Sequence, residues 1–85
     1  MKIWNVIILP KAEKRLERMP RQERERIIEA LYALRYDPFR YDFKPLHDQP
    51  LWRLRVGSWR ILCRVDRREM TVYALTVGPR GDVYK

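Results

Sequence analysis

Four arginines alternate through one short stretch of the chain, Arg53, Arg55, Arg60 and Arg64, on either side of Gly57 and Ser58. A guanidinium is a permanently charged planar fork with five donors and no acceptor. It can hold phosphate oxygens in pairs, stack on a base and stabilise charge in an anionic transition state. It cannot take up a proton. Whether these four side chains act together depends on how the segment folds, and the glycine-first dipeptide answers that. Gly57 and Ser58 predict a two-residue hairpin turn. Such a turn fixes the register: Val56 faces Trp59, Arg55 faces Arg60, Leu54 faces Ile61, Arg53 faces Leu62 and Trp52 faces Cys63. Strand alternation then puts Trp52, Leu54, Val56, Trp59, Ile61, Cys63 and Val65 on one side. Arg53, Arg55, Arg60, Leu62 and Arg64 fall on the other.

Like charges directly across a ladder cost something under about 1 kcal/mol, so stability alone would not choose the Arg55/Arg60 pair. Neutralising acids are scarce nearby, because Asp48, Asp66, Glu69 and Asp82 are the only four after residue 42. A cationic working surface for a phosphate-bearing partner is the reading that explains the arginines. Arg80 joins it if the next strand pairs with the second arm of the hairpin and returns the chain toward the turn. Lys44 and Arg64 are expected to grip phosphates of that partner. Histidine is the side chain best suited to proton transfer at neutral pH, but His47 stands alone, six residues before Arg53.

The elements that must position this hairpin are legible around it. Residues 2–9 read as a strand with bulk on both faces, and so as a well-buried one. Residues 11–19 place Ala12, Leu16 and Met19 at helical spacing, and residues 21–36 do the same with Ile27, Leu31 and Leu34. Pro20 separates the two helices and suits the first turn of the second. Asp37 and Pro38 stop it. Residues 39–50 have no clear period and read as a loop packed partly on the core. Strands are expected over 51–56, 59–66 and 70–77, with a polar turn at 66–69 and a short last strand at 83–85. The order is β-α-α-β-β-β: an α+β fold in which a two-helix hairpin covers one face of a mostly antiparallel sheet.

Composition bounds the rest. The chain has 85 residues, enough for one domain spanning residues 1–85, and 46% of them are hydrophobic, enough for a core. Its formal net charge is +8, favouring a polyanionic partner. Cys63 is the only cysteine, so no internal disulfide or thiolate-built metal site is expected, and a reducing cytoplasm fits. No cofactor, small-molecule ligand or membrane is called for, and no apolar run approaches the roughly 20 residues of a membrane span.

The hairpin sequence from Leu51 to Leu62, the helix around Met19, Pro20, Arg24 and Ile27 to Leu31, and the run Val77, Gly78, Pro79, Arg80, Gly81, Asp82, Val83, Tyr84 together resemble the RelE/ParE superfamily of toxins, and its RelE branch more closely. The resemblance covers nearly the whole chain. It implies the toxin of a type II toxin–antitoxin system, an endoribonuclease that enters the ribosomal A site and cleaves mRNA there. In that chemistry the ribose 2′-hydroxyl attacks the adjacent phosphate, leaving a cyclic phosphate and a 5′-hydroxyl. The resemblance implies catalytic roles for Arg53, Arg55, Arg60, Arg80 and Tyr84, and a cognate antitoxin as partner, often acidic where it covers the cationic face. Family members with lysines where this chain has Arg53 and Arg55 have groups able to lose a proton; here a catalytic Arg53 must act by charge. The alternatives within the resemblance are a ParE-like, non-enzymatic inhibitor of DNA gyrase and an inactive homologue that binds only RNA or antitoxin.

Overall fold

The computed structural model describes residues 3–79. Its elements run β1 (Asn5–Ile8), α1 (Pro10–Glu17), α2 (Arg21–Ala33), a 3-10 turn (Pro38–Arg40), β2 (Phe43–Pro45), β3 (Trp52–Val56), β4 (Trp59–Asp66) and β5 (Thr71–Pro79). The strands form one sheet in the order β1-β5-β4-β3-β2. β1 runs parallel to β5, and every other pairing is antiparallel. The expected α+β architecture, two helices on a mostly antiparallel sheet, is what the chain adopts.

Both helices open on proline, whose fixed φ and missing N–H suit a helix start. Pro10 begins α1, and Pro20 precedes α2 and accepts the Arg24 amide at 3.0 Å. The stripes set by spacing are the buried ones: Ala12, Leu16 and Met19 from the first helical segment, Ile27, Leu31 and Leu34 from the second. α1 lies over β5 and α2 over β3. The core between the layers gathers Leu54, Ile61, Cys63, Val72, Ala74 and Val77 from the sheet.

Three expectations change. Residues 39–50 are not simply a loop: Phe43–Pro45 forms β2, an edge strand against β3, and Phe43 is buried. Its three residues are too few to show alternation. The Asp37 carboxylate accepts the Phe39 amide at 3.2 Å and starts the 3-10 turn ahead of it. β1 is not well buried either. It is the opposite edge of the sheet, and since the helices cover one face only, Asn5 and Ile7 point outward and are exposed. Finally, α2 stops at Ala33 rather than at Tyr36, and a looser turn carries the chain on to Asp37.

The hairpin of β3 and β4 has the expected register at all five positions. Gly57 takes φ +59 while Ser58 does not enter the left-handed region, which is the glycine-first turn. The second turn, between β4 and β5, is built differently. The Asp66 carboxylate accepts the Glu69 amide at 3.0 Å, and Met70 takes the left-handed φ of 49 that returns the chain into β5.

Candidate functional site

The face of the sheet turned away from the helices can be read ladder by ladder. One row runs Lys44, Arg53, Leu62 and Thr76 across β2 to β5. The next, nearer the hairpin turn, runs Arg55, Arg60 and Gly78. On the other side of the first, Arg64, Tyr73 and Ile7 line up across β4, β5 and β1. Five cationic side chains, Lys44, Arg53, Arg55, Arg60 and Arg64, therefore share this face. β4 and β5 slip by one residue at Leu62 and Cys63, so Leu75 is the extra residue of a bulge.

The five are not equivalent. Lys44, Arg55 and Arg64 stand in solvent. Arg53 is half-buried and its Nη1 lies 3.4 Å from Asp42 Oδ1, the only ion pair on this face among the described residues. Arg60 departs from the sequence expectation of an open-face residue: it is 6% exposed. Its Nη1 donates to the Trp59 carbonyl at 3.4 Å. Gly78 across the ladder has no side chain to compete for the space. The Arg55 amide donates to the Asp42 carbonyl at 3.0 Å, on the β2 side. Its main chain therefore does not bond to Arg60, and the two arginines form the closer kind of antiparallel pair, in which side chains approach most.

Arg64 has its guanidinium 4.2 Å from the centroid of the Tyr73 ring, a cation–π contact that orients both groups. Tyr73 and the buried Leu62 give the cationic face an apolar, aromatic flank. Sequence reasoning placed Leu62 there and missed Tyr73. The signal was available, since extending the register across the 67–70 turn pairs Arg64 with Tyr73. Asp42 was also missed, and nothing local to it announces a partner eleven residues on.

Cys63 faces the other way, into the core, and burial pushes its thiol up to about 12 from its ordinary 9.0. A thiol held protonated there is no nucleophile. His47 is exposed in the segment before β3. Among the described residues no group of three His, Cys, Asp or Glu side chains could hold a metal ion, and no helix is long and apolar enough to cross a membrane. Arg80 and Tyr84, and the strand expected at 83–85, lie outside the described residues.

The face can bind and polarise a phosphodiester: its donors are many, fixed in charge and backed by a rigid sheet. Comparison with known proteins bears on what such a face is for. Residues 6–84 match the family model described as the ParE toxin of the type II toxin–antitoxin system parDE. Among solved structures, the chain is similar to one from the RelBE2 toxin–antitoxin complex of Mycobacterium tuberculosis, with 28% identity, TM-score 0.83, and 96% of this chain and 97% of that one covered. It is similar to one from the archaeal RelE–RelB complex of Pyrococcus horikoshii OT3, with 26% identity, TM-score 0.80, and 93% and 97% covered. The isolated Escherichia coli RelE toxin shares the fold at TM-score 0.74 and 18% identity over 95% of this chain and 90% of that one. Comparison with curated protein sequences gives no match.

Proposed function

This chain belongs to the RelE/ParE superfamily of type II toxin–antitoxin toxins, and from that premise we propose that it is an endoribonuclease of the RelE kind, cutting mRNA in the ribosomal A site. The observation that supports this reading above the others is the arginine face. Arg53, Arg55, Arg60 and Arg64 share one side of the β3–β4 hairpin, and Lys44 stands beside Arg53. Arg55 and Arg60 sit in the closest kind of cross-strand contact, an arrangement that stability does not favour.

In the proposed reaction the 2′-oxygen of one nucleotide attacks the adjacent phosphorus. The 2′-hydroxyl gives up its proton to water. The bond from phosphorus to the 5′-oxygen breaks, a 2′,3′-cyclic phosphate forms, and the departing oxygen takes a proton from water to become a 5′-hydroxyl. The transition state carries extra negative charge on the phosphoryl oxygens. Arg53 and Arg55 supply preorganised positive charge for it. Arg60, fixed by burial, holds the direction of that field. Lys44 and Arg64 grip flanking phosphates, and the planar Arg64 guanidinium, backed by the Tyr73 ring, offers a surface for a base. None of the arginines accepts the 2′-hydroxyl proton, because a guanidinium has no acceptor atom. Arg80 and Tyr84 are carried into the site by family resemblance alone.

The proposal includes a cognate antitoxin, acidic where it covers this face, and a cytoplasmic setting in which ribosome and mRNA are at hand. A second reading, ParE-like inhibition of DNA gyrase, is favoured by the description of the matching family model. The test is expression in a translation extract with mRNA ends mapped by primer extension. Codon-positioned breaks that fall on the order of 100-fold with Arg55→Ala support the nuclease. Intact mRNA together with trapped gyrase–DNA complexes would establish the gyrase reading instead.

A further inference from the structure

At the rim of the sheet the cationic face meets the helical layer across a cleft of about 410 Å³, within the size range of sites for small organic groups. Arg26, Glu29, Ala30 and Ala33 of α2 form one wall, at positions i, i+3, i+4 and i+7 of a single helical face. Leu54 and Arg55 of β3 form the other, and Tyr41 and Asp42 close it. The cleft lies where β2 begins. Strand pairing with β3 reaches Leu54, and the Arg55 amide still bonds to the Asp42 carbonyl. Past that bond β3 runs on to the turn with no strand of the described residues on that side. Arg26 stretches from α2 to that turn, so near that a Cβ placed on Gly57 would lie 3.3 Å from its Nη2.

We propose that this cleft receives one base of the RNA, next to the phosphate held by Arg55, and selects a base whose edge donates hydrogen bonds. The proposal rests on reading the arginine face as an RNA surface, and it adds a specificity site to it. Arg55 belongs to both, so a strand lying on the face reaches the cleft by passing over the rim. Ala30 and Ala33 give the cleft an apolar lining, with the nearly buried Leu54 beneath it. Tyr41, itself 43% exposed, brings an aromatic ring to the cleft, the kind of group on which single-stranded RNA readers stack splayed bases. Arg26 and Arg55 meet the nucleotide's own phosphate.

The carboxylates decide which base. Glu29 has no ion-pair partner among the described residues, while Asp42 shares one oxygen with Arg53. Carboxylates accept hydrogen bonds and repel carbonyls. The Watson–Crick edge of guanine offers N1–H and N2–H side by side, whereas uracil offers one N–H flanked by two carbonyl oxygens. The cleft is therefore matched to guanine and set against uracil.

The test titrates the isotopically labelled full chain with guanosine 5′-monophosphate and with uridine 5′-monophosphate, following the signals of Ala30 and Ala33 by NMR. The expected result is saturable movement of both with the guanine nucleotide, about tenfold tighter than with the uracil one. Glu29→Gln should bring the ratio close to one. Ala33→Trp should abolish the movement at Ala30 while leaving the signals of Val72 and Ala74 in the core in place. Equal affinity for the two nucleotides, movement confined to the arginine row, or movement at Ala30 and Ala33 only on adding an antitoxin-derived peptide would overturn the proposal. The nuclease reading is scored separately in the extract. Guanine-selective binding with intact mRNA leaves the cleft standing without the nuclease. Cutting that ignores both the flanking base and Ala33→Trp, with no nucleotide bound at Ala30, leaves the nuclease without the cleft.

Discussion

On the helix-covered face of the β3–β4 hairpin, Leu54, Ile61 and Cys63 are sealed from solvent, with 2%, 0% and 0% of their surface exposed. On the opposite face of the same ladder, Arg55 and Arg64 stand in solvent and carry charge that no ion pair among the described residues neutralises. One face excludes water and the other presents fixed charge to it. Because adjacent residues on a strand point in opposite directions, stabilising positions and the proposed functional ones are interleaved within twelve residues yet separable in effect. Arg60 is the exception: charged like the second face, buried like the first.

The sharpest way to separate the faces is to hollow out the covered one. Ile61→Ala should cost about 2–5 kcal/mol in urea unfolding, from lost burial and the cavity left behind, without the surface charge changing. A loss below 1 kcal/mol would mean the core collapses around the gap and the covered face is not the stabilising one.

Cys63 gives the next effect, through pH. The folded thiol keeps its proton until about 12, while the unfolded thiol releases it above its ordinary 9.0. Between those values the unfolded state binds fewer protons, so stability falls as pH rises. By pH 10.5 the loss from this group should be on the order of 2 kcal/mol. Denaturation of wild type and Cys63→Ala at pH 7.5 and 10.5 isolates it, since the other titrating groups are common to both. Parallel losses in the two proteins would remove Cys63 from the account.

The arginines supply the smallest and most discriminating difference. Arg55→Ala should leave stability within about 0.5 kcal/mol, or raise it slightly as the facing positive charge loses its neighbour. Arg60→Ala should cost roughly 1–3 kcal/mol, because its buried stem packs and its guanidinium donates. Both should lose RNA cleavage. Equal melting temperatures for the two variants would show that Arg60 belongs to the open face after all.

The legible part of this molecule is what one short segment decides for itself. The turn at Gly57 and Ser58 dictates the register, the register sorts two faces, and helical spacing picks out Leu16, Ile27 and Leu31. The illegible part lies between segments. β2 was hidden because Phe43–Pro45 is only three residues long and ends on proline, and it counts as a strand only by virtue of β3. β1 carries bulk on both faces, yet its place at the sheet edge depends on which strand it meets. The burial of Arg60 goes with the bare backbone of Gly78 across the ladder, and the cleft beside Arg55 lies where the chain enters β2.

The parallel pairing of β1 with β5 sets Asn5 opposite Thr71, joining the start of the chain to its last described strand. Contacts between residues so far apart in sequence form late, because the whole intervening chain must be ordered before they repay their entropy. α1 rests on that same last strand. During synthesis, then, neither β1 nor α1 has its partner until β5 has been made. The arginine hairpin can close early from its own turn, but the sheet behind it is completed last. The β1–β5 pairing and the packing of α1 on β5 are thus the fold's costliest loop closures, and the arginine hairpin is its cheapest.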